Sequence, residues 1–267
     1  MTLLRRLVLM SAALIAAVVS PAHAQTPVSG APTVLITGSN RGIGLEFARQ
    51  YAERGWQVIA TTRNPDDAER LNALADKHAN LTVEQLDVTS GEDLAALAEK
   101  YRGKPIDVLI NNAGLSGDFM GAEQAFGTLD YSVVDTFMRV NGIGPLRVTE
   151  ALYDNVRISD RKVVIAITAL LGVHSFNYGG FDGAYWYKIS KAAMNAAMYN
   201  LAREVKKDGV TVTLLTPGEV AVEKVEDPGP QFIEPEESIA GMIEVIDGLT
   251  LDDSAAIIRY NGKRYEF

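Results

Sequence analysis

Seven short apolar runs punctuate this chain, and segments of helical period separate most of them. The runs are Thr33–Ile36, Gln57–Thr61, Leu81–Leu86, Ile106–Ile110, Lys162–Thr168, Val210–Leu215 and Ala255–Arg259. Most are rich in β-branched residues and apolar at successive positions, so both faces of each strand must be covered. Helical spacing fills the intervals at Leu45–Arg54, Pro65–His78, Gly91–Tyr101, Tyr131–Asn155, Tyr185–Lys207 and Glu234–Gly248. A doubly covered strand followed by a helix that crosses back is the unit of a parallel sheet. The order predicts a single α/β domain built on a doubly wound, parallel, seven-stranded sheet. No repeat, low-complexity tract or long linker divides it.

The 267 residues are 47% hydrophobic and 22% charged and include no cysteine. That apolar fraction excludes a disordered or collagen-like chain, and the missing cysteines exclude a disulfide-stapled module. Twenty-five basic residues against 34 acidic ones give a formal charge of −9. Affinity for a phosphate backbone starts from Lys and Arg, so nucleic acid is not an expected partner.

The first 24 residues stand apart from the rest. Arg5 and Arg6 precede an apolar run from Leu7 to Val19, and Ala22-His23-Ala24 offers a small-x-small cleavage site before Gln25. This is the pattern of a signal peptide over residues 1–24, and it predicts an exported, periplasmic protein with no stable membrane insertion after cleavage. The alternative is an uncleaved anchor, although the run stops short of the ~20 residues that a membrane span needs. Arg5-Arg6 also fits a loose twin-arginine pattern. Cleavage would leave a polar leader at 25–32 and the domain at 33–267, and the loss of Arg5 and Arg6 would move the formal charge from −9 to −11.

The first strand runs directly into Thr37-Gly38-Ser39-Asn40-Arg41-Gly42-Ile43-Gly44, and helical period begins at Leu45. Glycines let the backbone turn tightly and approach a pyrophosphate, at which the free N–H groups of a helix N-terminus are then aimed. Strand before and helix after are the context that makes this a dinucleotide-binding Rossmann turn. A site preferring NAD places an acid at the end of the second strand. Here that strand ends Thr61-Thr62-Arg63-Asn64, and Arg63 with Arg41 would attract a 2′-phosphate, so NADP is expected ahead of NAD.

Further along come Asn111-Asn112-Ala113-Gly114 after the fourth strand, Asn141 in a helical stretch, and Tyr187-Lys188-Ile189-Ser190-Lys191 opening a long helix. Tyr and Lys four apart share a helical face, where the ammonium can lower the phenol pKa and make it a proton carrier. The domain past residue 24 holds only His78 and His174 and no Cys, which leaves no zinc cluster and little for a nucleophile triad. Tyr178, Phe181, Tyr185 and Trp186 crowd the approach to Tyr187, either as packing residues or as walls of an apolar pocket.

Together these motifs resemble the short-chain dehydrogenase/reductase family over essentially all of 33–267. Within it the likeness is to the carbonyl-reductase-like group that includes C-factor and sniffer. Val140 through Ala151, Tyr187 through Ala193, Pro217-Gly218 and Glu236 through Met242 carry the likeness. The resemblance implies that Tyr187 is the general acid or base and that Lys191 lowers its pKa and holds the nicotinamide ribose. It implies that Asn141 supports a water leading protons to Lys191. It further implies that Asp87 and Val88 border the adenine, while Asn111, Ala113 and Gly114 line the cofactor cleft. Pro217, Gly218 and nearby Val220 would flank the nicotinamide, and Asn40, Arg41 and Arg63 would face the phosphate.

Three positions depart from the family pattern. In Ile167-Thr168-Ala169-Leu170-Leu171-Gly172 the family's catalytic serine is replaced by Ala169. Losing one such oxyanion donor costs ~10²–10³ in rate. Thr168 is the nearest hydroxyl and a candidate substitute, with His174 and Ser175 as loop alternatives. Val222 stands where a carboxamide-binding Thr is usual, and Glu219 replaces a common Trp. The expected function is NADP-dependent reduction of a small aldehyde or ketone by a monomer or homodimer, with Tyr187 as proton donor. The alternative is an NADP-binding protein of weakened chemistry that serves as a binder or partner module.

Overall fold

The computed structural model describes residues 30–117, 124–175, 182–221 and 232–266. The expected signal peptide, most of the polar leader, and Tyr178, Phe181 and Val222 lie outside the described residues. All seven expected strands are present: β1 Thr33–Ile36, β2 Gln57–Thr62, β3 Leu81–Gln85, β4 Val108–Asn111, β5 Val163–Ile167, β6 Thr211–Thr216 and β7 Ile257–Arg259. They pair in parallel in the order β3-β2-β1-β4-β5-β6-β7. An eighth strand, β8 (Arg264–Tyr265), adds antiparallel to β7. At two residues it is too short to show a period in sequence.

Alternation along each strand divides the apolar side chains between the two faces of the sheet. Leu35, Leu109, Val164 and Ala166 enter one core; Val34, Ile36, Val108, Ile110, Val163 and Ile165 enter the other. The first core is closed by helices α3 (Gly91–Lys100), α5 (Gly144–Arg157) and α6 (Tyr185–Val205), through residues such as Leu97, Leu152 and Met198. The second is closed by α1 (Gly42–Glu53), α2 (Glu69–Ala75) and α7 (Pro235–Asp247), through Phe47, Tyr51, Leu71 and Ile243.

Two helical expectations change. Pro65–His78 contracts to α2, because Pro65 opens a turn whose carbonyl accepts from the Ala68 N–H and the Asn72 side chain. Tyr131–Asn155 is not one helix. It starts as a 3₁₀ turn at Tyr131–Val133, continues as α4 (Val134–Phe137), widens to a π-helix over Met138–Ile143, and re-forms as α5. The widening lies immediately before Pro145, which has no N–H for the i→i−4 bond and crowds the preceding turn.

Apart from Asn141, which lies on the π-helix between α4 and α5, every expected site segment lies at or just beyond the carboxyl end of a strand or on α6. The β1–β4 neighbours mark the point where the winding reverses, the place where open α/β sheets take ligands. No helix among the described residues is long and apolar enough to cross a membrane.

Leu152 is fully buried in the first core. Leu152→Ala is expected to cost about 2–5 kcal/mol of stability. The midpoint of urea unfolding would fall while the slope stays constant.

Candidate active site

Two backbone turns meet at the β1/β4 edge. Gly38 has φ +68°, and a Cβ there would stand 2.8 Å from Ala113 Cα. A Cβ on Gly44 would stand 2.2 Å from the Gly38 carbonyl oxygen and 2.5 Å from Asn112 Nδ2. Neither position can carry a side chain without moving backbone. Thr37 Oγ1 accepts from the N–H groups of Asn112 (3.0 Å) and Ala113 (2.9 Å), and Asn112 Nδ2 donates to the carbonyls of Thr37 and Gly38. Ser39 is buried and points inward, its hydroxyl donating to the Ile36 carbonyl at 2.9 Å.

This bracing aims the start of α1 into the crevice. Arg41 takes the N-cap position of α1 with extended backbone and its side chain does not cap the helix, and the first turn (Gly42, Ile43, Gly44) carries no acid. The opening amides of a helix have no partners within it. With Gly42 at φ +54°, the segment fits a phosphate cradle in both charge and space. Asn40 and Arg41 are exposed on this turn, and Arg63 is exposed just past β2.

The remaining residues expected on the cofactor side follow the carboxyl ends of strands in the same sheet. Asp87 follows β3 and binds its own loop, accepting from Thr89 N (2.8 Å) and Thr89 Oγ1 (2.7 Å). Val88 packs on Gly144, where a Cβ would come within 3.1 Å of its Cγ2. Asn111 is buried; its Nδ2 donates to Thr149 Oγ1 at 3.1 Å, and its Oδ1 is buried with no hydrogen-bond partner among the described residues. After β6, Pro217 accepts from Ser238 Oγ (2.7 Å), and Gly218 has φ +82° beside Ile233 and Arg259. Val220 pairs with Ile233 in a single parallel bridge, and Glu219 forms a 2.8 Å ion pair with Arg259.

The side chains expected to handle protons come together around α6. A Cβ on Gly114 would stand 3.2 Å from Asn141 Oδ1 and 3.8 Å from Lys191 Nζ, so the turn after β4 forms a wall for both. The π-helix buries Asn141 completely and sets its amide against Leu115, with Oδ1 accepting from Leu115 N (2.9 Å) and Nδ2 donating to Leu115 O (2.8 Å). Tyr187 and Lys191 share one face, as their spacing predicts. The ammonium stands 5.9 Å from the centre of the Tyr187 ring and donates to the Ile167 carbonyl at 2.7 Å. Burial pushes the Tyr187 phenol up to about 12 and lowers Lys191 to about 8. Within the chain itself, desolvation outweighs the downward pull of the ammonium on the phenol that the spacing alone suggests.

The departure at Ala169 has a defined setting. Ala169 caps a 3₁₀ turn over Leu170–Gly172, and a Cβ on Gly172 would lie 2.7 Å from Lys191 Cβ, so the turn hugs α6. Thr168 is buried and donates its one hydroxyl proton to Asn195 Oδ1 at 2.6 Å, while Asn195 Nδ2 holds the Gly172 carbonyl. That bond leaves the Thr168 hydroxyl only acceptor capacity toward any other group. Ser175 donates to the Glu266 carbonyl, and His174 is exposed. Of the aromatics near Tyr187, Trp186 is buried edge-on to Tyr131, and Tyr185 lies against the exposed Phe126.

Two supporting residues fall outside the motifs. Asn195 repeats the four-residue step from Lys191, a signal that could have been read. Gln124, whose amide oxygen accepts from Tyr187 N at 3.1 Å, is a lone loop residue with no such signal.

Lys191 also makes a pH-dependent stability prediction. Its pKa falls from 10.5 in the unfolded chain to about 8, so its burial cost is fully present below pH 8 and is relieved as pH rises toward 10.5. Lys191→Met removes a cost of about 3 kcal/mol and leaves the Ile167 carbonyl unpaired for about 1–2 kcal/mol. Melting at pH 7 without nucleotide is expected to rise by about 3–5 °C, with the gain gone by pH 10.5.

Comparison with known proteins accords with this geometry. Residues 32–230 match the family model described as short chain dehydrogenase. The 1-hydroxy-2-glutathionyl-2-methyl-3-butene dehydrogenase of Rhodococcus sp. (strain AD45) is 36% identical over 235 residues, covering 86% of this chain and 97% of the relative. C-signal of Myxococcus xanthus is 37% identical over 170 residues, covering 63% of this chain and 97% of the relative. Among solved structures, NADPH-bound carbonyl reductase from chicken fatty liver superposes with a TM-score of 0.80 at 27% identity, covering 89% of this chain and 99% of that one. With a nucleotide cradle at the β1/β4 edge and the Asn141, Tyr187 and Lys191 cluster beside it, the chain belongs to the short-chain dehydrogenase/reductase family, in its carbonyl-reductase-like group.

Proposed function

We propose that this oxidoreductase reduces small aldehydes or ketones with NADPH, and that Tyr187 delivers the proton. The observation that carries the reading is the placement on one face of α6 of the Tyr187 phenol and the buried Lys191 ammonium, which stands 5.9 Å from the ring centre and is held by the Ile167 carbonyl. The NADPH-bound chicken neighbour and the dehydrogenase relative support it. Exposed Arg41 and Arg63, with no acid at the end of β2, favour NADP over NAD.

When bound, NADPH supplies the hydride. Gly38 and Gly44 permit the close turn that would hold its phosphates, and the amides of Gly42, Ile43 and Gly44 would meet their charge. Tyr187 would pass its phenolic proton to the carbonyl oxygen, which completes the reduction to an alcohol. Lys191 and Asn141, both bordering Gly114, provide a route by which the phenol is reprotonated.

A second reading follows from Ala169, which offers no hydroxyl, and from Thr168, whose proton goes to Asn195. It makes the chain a nucleotide binder whose chemistry has faded.

Oxidation of NADPH with a panel of aldehydes and ketones separates the two. The enzyme reading expects turnover that Tyr187→Phe lowers by about 10²-fold or more, a loss in the range for a general acid, with the Kd for NADP⁺ unchanged. The binder reading expects no wild-type turnover and activity appearing only in Ala169→Ser. For cofactor preference, Arg63→Ala is expected to weaken NADP⁺ binding about tenfold in calorimetric titration, the scale of one charge-assisted contact, while leaving NAD⁺ unaffected.

A further inference from the structure

We propose that Gln124 is a positioning residue for Tyr187, which caps α6 from outside the helix and closes a ring of hydrogen bonds through Asn141. The inference rests on the reading of Tyr187 as proton donor, and the hydrogen bonds on which it stands are independent of that reading.

Helix α6 begins without a cap of its own. Its N-cap residue, Ala184, lies in the left-handed region at φ +51° and has no side-chain oxygen, and Gly183 before it has φ +85°. The first-turn amides therefore need acceptors from elsewhere. Gln124 is fully buried, and its Oε1 accepts from the Tyr187 N–H at 3.1 Å. Its Nε2 donates to the Ser116 carbonyl at 2.8 Å.

From Ser116 the connection continues back to Tyr187. Its neighbour Leu115 is held at both N–H and carbonyl by the Asn141 amide. Asn141 Nδ2 also donates to Ser190 Oγ at 3.0 Å, and Ser190 Oγ donates to the Tyr187 carbonyl at 2.9 Å. The peptide groups on both sides of the Tyr187 Cα are thus pinned, one by Gln124 and the other by Ser190. Asn141 sits in the same ring, so the phenol and the amide expected to serve its proton supply are set by one network.

The ring requires glutamine at position 124. One end must accept from an N–H and the other must donate to a carbonyl, which a carboxylate cannot do. Gln124→Glu keeps the cap, which a helix N-terminus favours, and breaks the Ser116 bond. Gln124→Leu removes both bonds at similar volume. Displacing a reacting group by about 1 Å can cost up to 10²-fold in rate, and the nucleotide cradle lies on another element.

The test combines hydrogen exchange at the Tyr187 amide, NADP⁺ titration and NADPH-dependent carbonyl turnover in the full chain. In Gln124→Leu the Tyr187 amide is expected to exchange about tenfold faster or more, kcat to fall about 10–100-fold, and the Kd for NADP⁺ to stay within about twofold. In Gln124→Glu the Tyr187 amide stays protected and kcat falls by less. Unchanged exchange in Gln124→Leu would overturn the proposal. So would an activity loss matched by equal losses of NADP⁺ affinity and of protection across the sheet, because that pattern is general unfolding. If Gln124→Leu does not fold, the exchange and kcat of Gln124→Glu decide. A wild type that turns over no carbonyl defeats the reductase reading alone, since exchange still reports the cap.

Discussion

The site depends on the close approach of two backbone turns where β1 and β4 run side by side. Gly38 and Gly44 must lack a Cβ for that approach, and Thr37 and Asn112 tie the turns with four hydrogen bonds. Two consequences follow from the one contact. The start of α1 is aimed into the crevice, where its unpaired amides can meet an anion. The turn after β4 is carried forward until a Cβ on Gly114 would stand 3.2 Å from Asn141 and 3.8 Å from Lys191, so the expected cofactor cradle and the residues expected to handle protons share a wall.

A second constraint is electrostatic. Lys191 is buried on α6, and its ammonium is compensated by the carbonyl of Ile167 at the end of β5. The turn that follows β5 is pressed so closely against Lys191 that Gly172 tolerates no side chain. Asn195 fastens the same turn from one helical step further along, and in doing so takes the Thr168 proton. Ala169 itself has no hydroxyl, and the hydroxyl next to it in the chain is already committed as a donor.

How much of this was legible in sequence varies with the range of the interaction. The seven runs and their intervening periods placed the strands to within a residue or two, because a doubly covered strand must be continuously apolar. The glycine turn, the Asn-Asn-Ala-Gly turn and the Tyr187–Lys191 spacing were all readable, since each is a local requirement on a few consecutive positions. The π-helix was missed: Pro145 marks a disturbance but does not say whether the helix ends, kinks or widens. Strand β8 is too short to carry a period. Gln124 and Ser190 left no trace, because their partners lie 63 and 49 residues away.

By itself, then, the sequence determined the doubly wound sheet, the nucleotide turn and the residue types available for proton transfer. These follow from local backbone preference and from burial, both of which act over one strand or one helical turn. Only the tertiary structure decided where the Lys191 charge is directed, which way Thr168 turns its hydroxyl, and how Tyr187 is held. Those outcomes depend on which donors and acceptors, far apart in the chain, are buried together and must satisfy one another.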